Sequence, residues 1–327
     1  MIDADQPTNP PVAAARILRC DLHVHSRHSG PATVPGLRHL VRECYAEPWE
    51  VRYAARERGM DLVTLTDHDS IAGALELAGL PDTFVSEEVT CHVPGGRELH
   101  LGVYDITEAQ HVALQARRRD LEALFAYAAE KHIPVCVNHP FSALTGRRED
   151  RDLPIAFLGA TPVEVRNGLM SALSNDYARA AGRRTRLAPC GGSDAHTLAS
   201  VARAFTCVQA SGRTEFLAGL RAGLTFPAGG AGTYARLTAD VTRLTLLAMG
   251  HSVRDAVRGE RGALVRLAAL VALAPFAVFL PLVTAGVYAD EQLFAWRHYR
   301  RFAGGAARAG RQRPPLLGTP AAGASRP

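Results

Sequence analysis

The stretch ILRCDLHVH, residues 17–25, decides the fold class, because it is an apolar run that ends on His23-x-His25. Four further runs end in the same way. They are VTLTDHDS at 63–70, with Asp67, His68 and Asp69; SEEVTC at 86–91, with Glu88, followed by ELHLGVYD at 98–105, with His100; VCVNHP at 135–140, with His139; and GGSDAHT at 191–197, with Asp194 and His196. Imidazole and carboxylate are the ligands that Zn, Mn and Fe prefer, and parallel α/β folds gather such side chains at the carboxyl ends of strands. Six of the thirteen histidines fall in these clusters, which scattered surface histidines would not do. The pattern reads as one multinuclear metal site.

Between the clusters, short apolar runs alternate with helical patterns from Ile17 to about Phe226, the signature of βα units around a largely parallel sheet. Strands are expected at 17–25, 61–66, 83–90, 98–104, 133–138, 162–165, 187–191 and 204–209. In EPWEVRYAARERG, residues 47–59, Pro48 near the start and Gly59 just past the end bracket a helix. One long amphipathic helix is expected from Thr107 to Lys131, and another with Ser174 as N-cap and Gly182 at its end.

The 327 residues exceed one domain of average size, so a catalytic domain with an appendage is the default. The expected division is a disordered leader at 1–16, a catalytic domain at 17–228, a helical and hydrophobic extension at 229–303 that begins after the flexible PAGGAG break, and a disordered tail at 304–327. The net charge of +5 is concentrated near the C-terminal end, in residues such as Arg297, Arg300 and Arg301, which gives no support to a nucleic-acid groove. Six cysteines without a C-x-x-C pair fit a reducing compartment, and the acidic start lacks an apolar stretch of signal-peptide length, so a cytoplasmic location is expected. Residues 267–289, LAALVALAPFAVFLPLVTAGVYA, carry no charge and are flanked by arginines. They are long enough to span a bilayer, but Pro275 and Pro281 interrupt helical hydrogen bonding, and a hairpin packed on the catalytic domain would read alike.

In a strand, residues i and i+2 share a face, so His23 and His25 can reach one ion, and Asp194 and His196 repeat that spacing after a flexible Gly191-Gly192-Ser193 turn. Glu88 has two oxygens with which to bridge two ions, and His100 and His139 suit the second ion. Asp21, Asp67 and Asp69 are expected to orient ligand histidines through the other ring nitrogen. Arg27, Arg147 and Arg166 follow strand ends or sit in loops beside them, where a guanidinium can grip a phosphate.

Taken in order, these motifs resemble those of the polymerase and histidinol phosphatase (PHP) superfamily: D-L-H-x-H-S, T-D-H-D, G-x-E-[IV]-[ST], a following His, an H-P pair and G-S-D-x-H. The resemblance runs from Asp21 to His196. It implies an α/β fold, a distorted (β/α)7 barrel of the TIM-like kind, holding two or three divalent ions (Mn, Zn or Fe), with a mainly helical C-terminal extension. It would place His23, His25, Glu88 and Asp194 on the first ion, Glu88, His100 and His139 on the second, and His68 with His196 on a third. One departure stands out: Gly30 occupies the place of an Asp that completes the third site in relatives, with His28 as the nearest alternative.

The expected function is hydrolysis of a small phosphate ester by a metal-bridging hydroxide, with His23, His25, Glu88, Asp194 and His196 as the catalytic set. The alternatives are amidohydrolase-like C–N or C–O hydrolysis in the same barrel, and a non-catalytic domain that associates with a membrane or partner. An arginine in the assembled pocket would favour phosphate; its absence would favour the amidohydrolase reading.

Overall fold

The computed structural model describes residues 15–32, 40–93, 97–143 and 152–311. Its strands are β1 (Arg16–Asp21), β2 (Leu62–Val63), β3 (Ser86–Val93), β4 (Arg97–Tyr104), β5 (Val135–Val137), β6 (Pro162–Asn167), β7 (Ala188–Gly192), β8 (Ala204–Ala210) and β9 (Phe226–Gly229). The helices are α1 (Pro48–Glu57), α2 (Ala72–Glu76), α3 (Glu108–Gln115), α4 (Leu121–Glu130), α5 (Asp152–Gly159), α6 (Ala172–Thr185), α7 (Arg213–Arg221), α8 (Tyr234–Val257), α9 (Ala263–Leu273) and α10 (Leu280–Arg311).

The strands form two sheets, β2-β1-β8-β9 and β3-β4-β5-β6-β7. The fold is mixed α/β, and the expected largely parallel sheet is corrected: β1–β2, β5–β6 and β6–β7 are parallel, whereas β1–β8, β3–β4, β4–β5 and β8–β9 are antiparallel. The reason is connection length. Only residues 94–96 separate β3 from β4, far too few for the crossover that a parallel pair requires. Among the described residues no single sheet closes on itself, but parallel bridges Val24↔Ala195 and His68↔Glu88 link the two sheets. Both bridges involve or adjoin the sequence clusters.

Local chemistry explains several elements. Pro48 starts α1, Glu47 and Glu50 form its capping box, and Gly59 takes φ +81° just beyond its end. The single helix expected over 107–131 is two: Asp120 accepts from Ala123 N and starts α4, while Arg118 O accepts from His92 N at 2.9 Å, tying the intervening turn to β3. α6 starts earlier than expected, because Ser171 rather than Ser174 caps it and accepts from Ser174 N. The PAGGAG segment, expected to be a break, contributes β9 on the edge of β8. Gly232 there passes so close to Leu169 O that a Cβ would lie 1.9 Å from it.

The C-terminal extension is helical and has two characters. Ala295 and Phe302 of α10 are buried in the main core, and Tyr299 stacks on Tyr177 of α6 with ring centroids 4.6 Å apart. Further toward its start the surface is apolar and exposed, at Leu264 (71%), Phe276 (62%) and Leu282 (71%). Pro275 is accommodated in a 3-10 turn over Ala274–Phe279, and Pro281 lies in the first turn of α10, where its missing N–H costs little. Residues 263–304 are long and apolar enough to cross a membrane by length and composition. The tail expected to be disordered from 304 is helical in backbone to Arg311; most of the expected leader and residues 312–327 lie outside the described residues.

Candidate metal centre

The H-x-H and D-x-H segments run side by side, with Asp194 N donating to His23 O (2.7 Å) and His25 N donating to Ala195 O (3.1 Å). That close approach requires Gly192, where a Cβ would lie 2.3 Å from His23 Cβ. The intervening Val24 packs into an apolar cluster with Leu65 and Ala195, so both imidazoles of the pair face one side. Glu88 on β3 pairs with Gly102 and Thr90 with His100, which puts Glu88 and His100 on one face of the hairpin. His139 and Asp194 adopt positive φ, 26° and 54°, a costly backbone for residues with side chains and one that functional sites often hold.

The eight expected ligands lie in one cluster, with five imidazoles around Glu88. Its Oε2 lies 3.2 Å from His23 Nε2, 3.5 Å from His25 Nε2 and 3.2 Å from His68 Nδ1. Its Oε1 lies 3.3 Å from both His100 Nδ1 and His139 Nε2. Asp194 Oδ1 stands 3.5 Å from His23 Nε2 and from His25 Nε2, and 3.8 Å from His196 Nδ1. Among the described residues, four triads have ligand atoms within 4.8 Å of one another: His23–His25–Asp194, His23–Glu88–His139, His68–Glu88–His100 and His25–His68–His196.

The donor set fits divalent cations on a specific ground. His23 Nε2, His25 Nε2, His100 Nδ1 and Glu88 Oε2 are buried and make no hydrogen bond. Each such atom costs about 1–3 kcal/mol, so a cluster of them converging on one place calls for a ligand. The opposite ring nitrogens are held by the protein. Glu164 Oε1 lies 3.0 Å from His23 Nδ1, Ser29 Oγ 3.0 Å from His25 Nδ1, and Asp194 O 3.0 Å from His196 Nδ1. Each contact favours the tautomer whose Nε2 lone pair faces the cluster.

Glu164 is one of two residues around the cluster that sequence reasoning missed. It also accepts from His139 N and Asn167 Nδ2, both at 2.8 Å, and Asn167 reaches on to Asp194 Oδ2 at 3.1 Å. A signal was present: a glutamate inside the apolar strand PVEVRN. Asn138 donates to Glu88 Oε1 at 2.8 Å. Glu43, also missed, puts Oε1 3.3 Å from His196 Nε2.

The three aspartates expected to orient histidines differ. Asp67 reaches His25 through Ser29, whose hydroxyl donates to its Oδ1 at 2.6 Å. Asp21 instead accepts from the backbone of His23 (3.2 Å), Ser193 (2.8 Å) and Ala202 (2.8 Å), fixing the strand rather than a ring. Asp69 accepts from Thr90 N and from Arg118 Nη1, both at 2.8 Å, and holds β3.

Burial lowers the pKa of His25 to about 4, with His196 adding to the effect, and burial lowers His68 to about 3. Burial also opposes the charged form of His23, but Glu88, Asp194 and Glu164 outweigh it and hold its pKa well above the usual value. His196 rises to about 9, because Glu43 outweighs burial there. Glu88 and Asp194 fall well below the usual carboxyl range: burial raises them, and the surrounding imidazoles, His23 foremost, prevail. The ionised carboxylates and the neutral His25 and His68 are in the states that a divalent ion requires, whereas His23 and His196 must each give up a proton to ligate one.

Beside the cluster lies a pocket of about 250 Å³, lined by His68, Glu88, His100, His139, Asp194 and His196, and walled on the far side by α8. Of the expected phosphate-binding arginines, Arg166 does not line it. A register shift between Glu164 and Arg166 puts Asn167 rather than Arg166 beside Glu164. Arg27 pairs with Glu47 (2.7 Å) and Glu76 (3.0 Å) and lines a neighbouring cavity, and Arg147 lies outside the described residues. His28 Nε2 is 2.7 Å from Glu76 Oε1, turned from the cluster. Among the described residues, the arginine that lines the pocket is Arg42.

Residues 172–225 match the family model described as PHP-associated, and this match joins the assembled motifs. The likeness to that family covers these 54 residues, among them Asp194 and His196. A 72-residue stretch of the chain is 31% identical to uncharacterized protein MJ1587 of Methanocaldococcus jannaschii, covering 22% of this chain and 41% of that protein. The chain thus spans about two fifths of the length of the curated relative it matches. PsfC from Pseudomonas syringae superposes with a TM-score of 0.47 at 16% identity, over 71% of this chain and 96% of that one. An amidohydrolase from Chromobacterium violaceum gives 0.41 at 19% identity, over 54% and 87%. A Bifidobacterium adolescentis protein, proposed to be a metal-dependent phosphoesterase, gives 0.39 at 17% identity, over 58% and 90%. These three are partial likenesses.

Proposed function

We propose that this chain is a metal-dependent hydrolase of the PHP superfamily acting on a phosphate ester. The observation that carries the reading is Glu88: one oxygen faces His23, His25 and His68 while the other faces His100 and His139, the disposition of a carboxylate shared between ions. His23, His25, Glu88 and Asp194 would hold the first ion, Glu88, His100 and His139 the second, and His68, His196 and Glu43 a third. Divalent ions, when bound, supply an activated water and neutralise charge developing on the phosphoryl oxygens.

The protein's own groups do the rest. Glu164, Ser29 and the Asp194 carbonyl fix the three imidazoles, and α8 shields the cluster from bulk water. Arg42 at the pocket wall supplies a positive charge for a phosphate oxygen and favours phosphate over a neutral amide. Residues 17–228 carry all the ligands, and 229–303 closes the pocket; bridges at Val24 and His68 complete a distorted seven-stranded ring as we read it. We place the protein in the cytoplasm with its exposed apolar helices against a membrane.

The test is hydrolysis by the full-length chain loaded with Mn or Zn, assayed against phosphomonoesters, nucleoside bisphosphates, short oligonucleotides, and carboxylic esters and amides. Release of inorganic phosphate from monoesters is expected. Turnover of amides or carboxylic esters alone would favour the amidohydrolase reading.

A further inference from the structure

We infer that the ester's alcohol is an aliphatic chain: the substrate is an alkyl phosphate whose phosphate meets the Glu88 cluster and whose chain lies along α8. This rests on the phosphoesterase reading. Its own ground is the pocket wall. Leu237, Val241 and Leu244 follow the i, i+4, i+7 spacing of one helical face and line the pocket with Leu169, Met170 and Val41.

The polar groups of that wall are committed. Asp240 accepts from Thr197 Oγ1 (2.9 Å) and Ser200 Oγ (2.6 Å), Thr245 Oγ1 donates to Val241 O (2.8 Å), and Ser142 Oγ donates to Glu291 Oε1 (3.3 Å). Few donors on that wall are left for the hydroxyls or ring nitrogens of a sugar or a base, whereas methylenes gain from Leu237, Val241 and Leu244. The volume of about 250 Å³ equals roughly eight waters at about 30 Å³ each, room for a short stretch of chain.

The surroundings point to where such a molecule comes from. The extension that supplies the wall continues into exposed apolar residues on α9 and α10, among them Val265 (72%) and Val283 (57%). Next to it, sharing Val41 and Arg42 with the pocket, is a cavity of about 530 Å³ in which Arg254, Arg258 and Arg266 outnumber Asp255 and Glu260, with Arg266 paired to Asp255 at 3.1 Å. Apolar surface beside basic side chains suits an anionic amphiphile drawn from a lipid surface. In the reaction, water adds at phosphorus, the P–O bond to the alkyl oxygen breaks, and a proton from water ends on that oxygen, giving phosphate and the alcohol.

Calorimetry on metal-loaded full-length protein tests this with methyl-, butyl- and octylphosphonate, which cannot be hydrolysed, and with carboxylates of matching length. Phosphonate affinity should rise by up to about 4-fold per methylene until the pocket is filled. Leu237→Gln and Val241→Gln should each reduce that increment. Phosphonates that bind with no dependence on length overturn the inference and leave the phosphoesterase reading standing. A length dependence confined to carboxylates overturns the phosphate reading and the inference with it. Hydrolysis of a long-chain alkyl phosphate held in phosphatidylcholine vesicles is expected, and turnover of the monomeric ester alone would overturn the lipid-surface source.

Discussion

Glu43 Oε1 stands 3.3 Å from His196 Nε2, with both side chains largely buried. The loop that carries Glu43 is held from both sides: Arg42 N donates to Tyr45 Oη (3.0 Å), Cys44 Sγ donates to His25 O (3.4 Å), and Tyr45 packs on Ala248 of α8 and Leu270 of α9. A carboxylate from this loop thus occupies the neighbourhood that Gly30 leaves without a side chain. Glu43→Gln is expected to retain one ion fewer than the wild type after dialysis, with the remaining ions kept. Plasma emission measures this, and equal metal content in both proteins would remove Glu43 from the third site.

Glu164 touches the cluster only through other groups. Glu164→Ala strips acceptors from His23 Nδ1, His139 N and Asn167 Nδ2, so metal affinity should fall by about 10–100-fold. Glu164→Gln keeps an acceptor for His23 and should recover part of the loss. Metal titration of the two variants checks this; identical affinities in Ala, Gln and wild type would contradict the positioning role.

The cysteines offer a test of packing. All six are buried with free thiols, and burial pushes Cys44 up to about 12. Thiolate is the reactive form, and at pH 8 roughly one Cys44 in ten thousand would carry it. Iodoacetamide at pH 8 should leave Cys44 unmodified in the folded protein and label it on unfolding, as mass spectrometry would show. Rapid labelling of Cys44 without unfolding would mean that its loop is not packed as described.

The two ends of the hydrophobic extension should respond differently. Phe302→Ala removes a core ring and should cost about 3 kcal/mol of stability, read as a lower denaturant midpoint. Replacing exposed Leu264, Val265, Leu282 and Val283 with Gln should move the protein from the membrane pellet to the supernatant with little change in midpoint. Wild-type protein found wholly in the supernatant without detergent would contradict the membrane association.

The sequence told most about residues whose chemistry repeats at a fixed offset. His23 and His25, or Asp194 and His196, announce a shared face because strand side chains alternate, and five of the proposed imidazoles lie around Glu88, with Asp194 beside His23 and His25. The parts that did not show depend on distance along the chain. Glu164 acts on His23 from 141 residues away, and only the pairing of β6 with β5 and β7 brings it there. Arg166 was a reasonable phosphate candidate until a register shift in β6 changed which side chain faces the cluster. The antiparallel pairing of β3 with β4 was available in the short connection, but the apolar runs alone favoured a parallel sheet.

The measurement closest to the central claim is the metal content of wild type and Glu88→Ala, each purified as the full chain, loaded with Mn or Zn and dialysed. Glu88 contacts five imidazoles through its two oxygens, so the account predicts at least two ions per wild-type chain and a loss of more than one in the variant, with far-UV circular dichroism unchanged. Equal metal content in the two proteins would contradict it.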